Sequence, residues 1–252
     1  MHLPDTGPVA SFTFRGRCRL DRHQWAPATA LTGLRETVRH HEHFDRHAVV
    51  LVQFEPMGAA AFLRPGLDEL SRRTTDLADI FAGRDRLDHL LDCLAKAPNH
   101  RRRVETLESF LLARLRLSAP DPLLSAALRW IEGMAGPKRM EQLTRYIGLS
   151  QSALERRFRR TIGLSPKKFA SVIRLRHAVQ LMSTEDDLAA VANAAGYFDQ
   201  SHFINDFRRA MGRTPTAYLK DAPADWSQLF PVLGSSGEAG EKPKANGDQL
   251  EA

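Results

Sequence analysis

The feature that most constrains this chain is an internal repeat. Leu154, Phe158, Gly163, Ser165 and Pro166 recur 49 residues later as Phe203, Phe207, Gly212, Thr214 and Pro215. Self-similarity at a fixed spacing marks one supersecondary unit used more than once. Each copy has the same preamble. Leu143 and Gly148 lie five apart with Ser150 two residues beyond, and Val191 and Gly196 lie five apart with Asp199 three beyond.

The residue types give each copy a physical form. A first helix ends at a Gly, which tolerates the left-handed conformation just past a helix C-terminus. Ser150 and Asp199 then accept from the free N–H groups of the next helix as N-caps. That second helix stops at Gly163 or Gly212, and Pro166 or Pro215 follows a Ser or Thr able to cap another helix. The pattern predicts a helix-turn-helix, present twice. At about 100° per residue, Leu154, Phe158 and Thr161 fall on one side of the first such helix, as do Phe203, Phe207 and Ala210 on the second. The opposite sides carry Ser152, Glu155, Arg156, Arg159 and Arg160, and Ser201, His202, Asn205, Arg208 and Arg209. These side chains suit base edges and phosphates in a DNA major groove. An Arg-rich stripe is more often only a solvated face, but two copies with matched caps and stops favour the reader.

Charge points the same way. The formal net charge is +6. Residues 123–222 carry +7, residues 1–122 carry +2 and residues 223–252 carry −3. The excess therefore lies on the repeat, a local imbalance suited to a polyanion. Two cysteines, Cys18 and Cys93, are too few for a disulfide scaffold, and a reducing cytoplasm is the expected setting. No apolar run approaches the roughly 20 residues of a membrane helix, and the first residues lack the pattern of a secretory signal. No membrane partner is expected.

Ahead of the repeat, SFTFR at 11–15 alternates as a strand does, and AVVLVQF at 48–54 reads as a buried strand. Segments 65–81, 84–95 and 101–117 have helical spacing, as in Leu87, Leu90, Leu91 and Leu94. Asp121-Pro122 opens a further helix carrying Leu124, Leu128 and Ile131. The end of the chain from Gly234, rich in Gly, Ser, Pro and charge, reads as a disordered tail. The expected class is mainly α: a small α+β region over 1–117, an all-α domain of two helix-turn-helix units joined by a long helix over 123–221, and a tail over 234–252.

Residues 123–221 resemble the C-terminal DNA-binding domain of the AraC/XylS family of bacterial transcription regulators. The resemblance rests on LSQSALERRFRRTIGLSPKKF and on AAGYFDQSHFINDFRRAMGRTPTAYL. It implies two readers in adjacent major-groove segments, joined here by a helix from Pro166 to Met182 with Phe169, Ile173 and Leu181 inward. It also implies base-reading roles for Gln151, Ser152, Glu155, Arg156, Gln200, Ser201, His202 and Asn205. Phosphate contacts would come from Arg159, Arg160, Lys167, Lys168, Arg208 and Arg209. Many members carry Arg where this chain has Asn205, and Asn pairs better with adenine than with guanine. Asp206 beside it would weaken the local positive field. The implied function is sequence-specific binding of double-stranded DNA, with activation the commoner direction in the family. RNA polymerase, a second copy of the chain and a small-molecule effector are further candidate partners. Residues 50–117 resemble the family's N-terminal regions more weakly.

Other constellations say less. His40, His41, His43 and His47 lie in RHHEHFDRH, which reads as a polar loop before a strand more readily than as a metal site, and no metal or cofactor is assigned. Cys18 stands between Arg17 and Arg19, whose charge would lower a thiol pKa. The alternative function is thus a DNA-repair or redox-sensing protein delivered by the same DNA-binding domain, although a repair module needs more cysteines. Cys93 reads as a core residue, and Trp130, Tyr146 and Tyr218 as packing residues. The phosphate-cradling loop, the H-E-x-x-H and the G-x-S-x-G patterns are all absent, so no catalytic residue is assigned and no enzyme is expected.

Overall fold

A computed structural model of the chain describes residues 4–220 except 64–65, 82, 117–118 and 134–139; the tail expected from Gly234 lies outside the described residues. Strand β1 (Val9–Leu20) is the centre of an antiparallel sheet. It pairs with β2 (Gln24–Trp25), β3 (Thr29–Thr32) and β4 (His41–Gln53), and β5 (Thr74–Asp76) pairs with β3. Successive side chains of a strand point to opposite faces. Ala10 and Phe12 accordingly enter a core with Leu31, Leu77, Leu87 and Leu94. Helices α3 (Arg84–Lys96) and α4 (His100–Leu112) contribute to that core, and Phe110 meets Phe12 edge to face at 6.3 Å.

Several expectations for this region need correction. The stretch 65–81 is not one helix but α1 (Leu67–Leu70), strand β5 and α2 (Leu77–Ile80). Arg72 adopts a φ of 62°, which breaks the helix, and the β-branched pair Thr74-Thr75 lines up with Leu31 and Thr32. Asp76 then caps α2 by accepting from the Ala78 N–H at 2.9 Å. Helix α4 ends at Leu112, short of 117. Beyond it the Arg116 N–H donates to the Ala61 carbonyl at 2.8 Å, which draws the chain off the helix axis. The AVVLVQF strand is half-buried, with Leu51 57% exposed, because only one face of the sheet packs on the core. The His-rich stretch is not a loop either: β4 begins at His41 and continues through it, bulging at Asp45 and Arg46.

The described residues from 122 onward form helices and the turns between them. Asp121 caps α5 (Pro122–Glu132), followed by α6 (Met140–Ile147), α7 (Gln151–Ile162), α8 (Pro166–Leu181), α9 (Leu188–Ala194), α10 (Gln200–Met211) and α11 (Pro215–Lys220). Leu124, Ile131, Leu143, Leu154, Phe158 and Phe169 form its first core. The joining helix α8 runs as expected, but its buried stripe is Phe169, Val172, Leu175 and Val179. Ile173 and Leu181 are only half-buried. The observed stripe steps by three or four residues all along the helix, which the expected trio does not.

The sheet region is tied to these helices at several points. Leu34, in the link between β3 and β4, is buried in the core of the first unit. Two residues on, Glu36 accepts from Lys168 Nζ of α8 at 2.8 Å, and the Val38 N–H donates to the Ala210 carbonyl of α10 at 2.9 Å. Helix α1 packs on α7, and the Leu67 carbonyl lies 3.1 Å from where a Cβ on Gly163 would stand. Near the N-terminus the Pro4 carbonyl accepts from Arg176 of α8 at 3.2 Å. Burial pushes the neighbouring Asp5 carboxyl up to about 6, outweighing the attraction of Arg176.

Two stability predictions follow from these seats. Gly163 and Gly212 both sit at positive φ, 95° and 72°, so Ala at either costs about 1 kcal/mol of backbone strain. At Gly212 a Cβ meets nothing within 4 Å, whereas at Gly163 it presses on Leu67. Denaturant titration should therefore show a larger loss for Gly163→Ala than for Gly212→Ala; equal losses would remove the α1 contact as a constraint. The Asp5 carboxyl has a folded pKa of about 6, above the ordinary 3.8 of an aspartate. Between those values the unfolded chain releases the proton while the folded chain keeps it, so stability falls as pH rises, by at most about 3 kcal/mol. Asp5→Asn should lack this loss and gain on the wild type from pH 4 to pH 7. Parallel stability curves would count against a buried Asp5.

Candidate nucleic-acid interface

The two copies fold alike, atom for atom at their ends. Ser150 Oγ accepts from the Ala153 N–H at 3.3 Å, and Asp199 Oδ1 from the His202 N–H at 2.7 Å. Gly163 and Gly212 close α7 and α10 in the left-handed conformation, their N–H groups donating to Arg159 and Arg208 carbonyls at 2.8 and 2.9 Å. Ser165 and Thr214 then cap the following helices, accepting from the N–H groups of Lys168 and Ala217. One further match runs through the core. Phe158 meets Phe169 edge to face at 5.6 Å, and Phe207 meets Tyr218 in the same way at 5.5 Å. Phe169 and Tyr218 are also 49 apart, so this pair belongs to the same repeat.

On α7, Leu154, Phe158 and Ile162 are buried, Ile162 taking the inward place expected of Thr161. Gln151, Ser152 and Arg156 are exposed and Glu155 is half-buried. Glu155 is held from both sides along the helix, by Gln151 Nε2 at 3.1 Å and by Arg159 Nη2 at 3.3 Å. These residues line a cleft of about 480 Å³ whose far side is Asp68 of α1. The neighbouring α1 thus places a carboxylate beside the outward face of α7, which no pattern within 123–221 foretells.

On α10, Gln200, Ser201, His202 and Asn205 are exposed, as are Arg208 and Arg209. The His202 ring stands edge to face on Tyr197 at 5.3 Å, an arrangement that restricts its rotamer. Asp206 differs from expectation. It is only 7% exposed and faces inward, where it accepts from Ser171 Oγ at 3.2 Å and from the Tyr197 hydroxyl at 3.4 Å. Its charge is taken up by Ser171, Tyr197 and Arg174 inside the domain and by Arg209, through which alone it bears on the outer field. Phe198, in the turn beside Gln200, is 90% exposed. Only one residue of the Tyr197-Phe198 pair can turn into the core, and Tyr197 does.

The basic candidates divide into two sets. Arg159 pairs with Glu155, Arg209 with Asp206, and Lys168 with Glu36 of the sheet region. Arg160, Lys167 and Arg208 form no ion pair among the described residues. Of the aromatics expected to pack, Tyr218 is buried, Trp130 is half-buried and Tyr146 is 65% exposed on α6.

The remaining constellations are placed as follows. Cys18 points into the protein while Arg17 and Arg19, one residue to either side, turn outward onto the ring of Trp25 at 4.6 and 5.7 Å. Burial pushes its thiol up, the opposite of an activated thiolate. Cys93 is half-buried and lies 3.6 Å from His89 Nε2. His43 and His47 stack at 4.7 Å with their Nδ1 atoms 3.0 Å apart, and His41 contacts Cys18 Sγ at 3.7 Å. Among the described residues no group of three or more His, Cys, Asp or Glu side chains is arranged to hold a metal ion. No helix among them is long and apolar enough to cross a membrane.

A helix-turn-helix domain model matches residues 143–221. The raffinose operon transcriptional regulatory protein RafR of Pediococcus pentosaceus is 35% identical over 79 residues, which cover 31% of this chain and 28% of RafR. The HTH-type transcriptional regulator MtrA of Neisseria gonorrhoeae is 32% identical over 83 residues, 32% of this chain and 28% of MtrA. The chain therefore spans under a third of the length of these relatives. Among solved structures, ToxT of Vibrio cholerae O395 aligns over 87% of this chain and 90% of its own, at 10% identity and a TM-score of 0.48. The matched segment holds both capped helices, α7 and α10, so residues 143–221 of this chain are a helix-turn-helix domain similar to those of transcription regulators.

Proposed function

We propose that this chain is a sequence-specific, double-stranded-DNA-binding transcription regulator in which α7 and α10 enter adjacent major-groove segments about one helical turn apart. The observation that carries the reading is the pair of equivalent helices, each sealed on one side by aromatic packing and bare on the other. The bare sides present Gln151, Ser152 and Arg156 in one case and Gln200, Ser201, His202 and Asn205 in the other. Amide, hydroxyl, imidazole and guanidinium groups are the donors and acceptors that distinguish base pairs in the major groove. Arg160, Lys167 and Arg208 supply phosphate contacts, and Lys168, Arg159 and Arg209 do so to the extent that DNA displaces their carboxylate partners. Residues 123–221 are the reading domain, and residues 1–117 are a regulatory or dimerisation region. Activation is the direction favoured by the family resemblance, with RNA polymerase as the partner it requires.

Selection of bound duplexes from a random pool tests the core of this reading. The expected outcome is a two-part site with half-sites about one helical turn apart. Recovery of sequences with no shared motif would sink it.

Arg156→Ala should cost about 1 to 3 kcal/mol on the selected site and relax preference at one base pair. An equal loss on unrelated DNA would remove Arg156 from the base-reading set. Arg208→Ala should instead weaken binding to all duplexes and flatten the dependence of log affinity on log salt by about one unit. Arg209→Ala should flatten it less, because Arg209 is partly occupied by Asp206. Slopes measured between about 50 and 200 mM salt separate the two.

A further inference from the structure

The buried carboxylate of Asp206 is unusual in its position. It belongs to a reader helix, lies between outward Asn205 and buried Phe207, and is nearly excluded from solvent. A carboxylate so placed persists only where hydrogen bonds and opposite charge replace its water. Here they come from three elements. Ser171 Oγ of α8 donates to Oδ2 at 3.2 Å, and the Tyr197 hydroxyl of the turn donates to the same oxygen at 3.4 Å. Arg174 of α8 brings Nη2 to 3.7 Å from Oδ2, while its guanidinium lies 4.5 Å from the centre of the Tyr197 ring. Arg209 of α10 closes the set on Oδ1.

We infer that Asp206 is a positioning residue for the second reader, locking the rotation of α10 about its axis against α8 and the turn through its bonds to Ser171, Tyr197 and Arg174. The inference rests on the two-reader reading above. Aromatic packing by Phe203 and Phe207 sets which side of α10 faces inward, but it leaves room for small rotations about that orientation. Hydrogen bonds and a guanidinium stacked on a ring are directional, and they meet at the residue adjoining Asn205. A rotation of α10 therefore swings Ser201, His202 and Asn205 together. The lock also reaches His202 by a second route, because Tyr197 bonds Asp206 through its hydroxyl and contacts the His202 ring with its own. The first copy does not use this device. The position 49 residues earlier is Arg157, which pairs with the helix-capping Asp121 at 3.2 Å and is half-exposed. The loss of Asp206 is thus specific to the second reader.

The test uses the full chain and the duplex that the wild type selects from a random pool, with every base pair of both half-sites substituted in turn. Asp206→Asn keeps the shape and removes the charge, and Tyr197→Phe keeps the ring and removes one donor. For Asp206→Asn, discrimination should fall about tenfold at the second half-site and stay unchanged at the first. Tyr197→Phe should show a smaller loss confined to the same base pairs. Circular dichroism and a melting curve taken alongside establish that each variant is folded at the assay temperature. If Asp206→Asn does not fold, Tyr197→Phe alone decides. Unchanged preferences, or parallel loss at both half-sites in a folded variant, would overturn the inference while leaving the two-reader reading intact. A wild-type site with a single conserved segment would overturn both.

Discussion

The contact on which the helical half depends is an edge-to-face pair of aromatic rings between each of α7 and α10 and the helix after it. Phe158 on Phe169 and Phe207 on Tyr218 set the inward side of α7 and α10. Such pairs contribute about 0.5–1.5 kcal/mol beyond the area they bury. Their larger consequence is geometric. With Phe158 or Phe207 fixed inward, the residues two and three places before it and one and two places after it fall on the solvent side. The Gly at the end of each reader then turns the chain so that the next helix can bring its own ring back. Cap, ring, glycine and proline act as a set, which is why they recur together at one spacing.

The sheet region is attached to this device, not merely joined to it. Leu34 lies in the first helical core, Val38 is bonded to the end of α10, and Glu36 engages the joining helix between them. One short link between β3 and β4 thereby touches both helix-turn-helix units and the helix that spaces them. Helix α1 adds a contact to α7. Any rearrangement of the β3–β4 link is consequently felt at both readers. Under the proposed function this would give residues 1–117 a mechanical route to both readers.

Legibility in the sequence followed the physics of each element. Caps, stops and inward stripes in the repeat depend on residues within a turn of one another, so their spacing alone located α7 and α10 to the residue. The stretch 65–81 reads as one helix because Leu67, Leu70, Leu77 and Ile80 all face a core, but they do so from two single turns separated by the strand β5. The His-rich strand was hidden because its polar residues face solvent on a strand whose pairing partner, β1, is remote in sequence. Asp206 lies three residues after Phe203 and four before Ala210, on the inward side of α10, so its direction is legible in the sequence. Its partners Ser171 and Arg174, 35 and 32 residues away on α8, are not, because a helical wheel carries no information about another helix.

The same distinction changes the meaning of the charge. A surplus of +7 over residues 123–222 counts ions without regard to where they point. In the folded chain Arg157 is held by Asp121, Arg159 by Glu155, Lys168 by Glu36 and Arg209 by Asp206. Two of these four acids are contributed by elements outside the readers, and one, Glu36, by the sheet region. The pairs on Arg157, Arg159 and Lys168 are solvent-accessible and individually weak, whereas Asp206, the partner of Arg209, is buried. Under the proposed two-reader function the carboxylates act less as a barrier than as a selector. Paired cations would respond only to a duplex close enough to compete, whereas Arg160, Lys167 and Arg208, which form no ion pair among the described residues, would attract any polyanion.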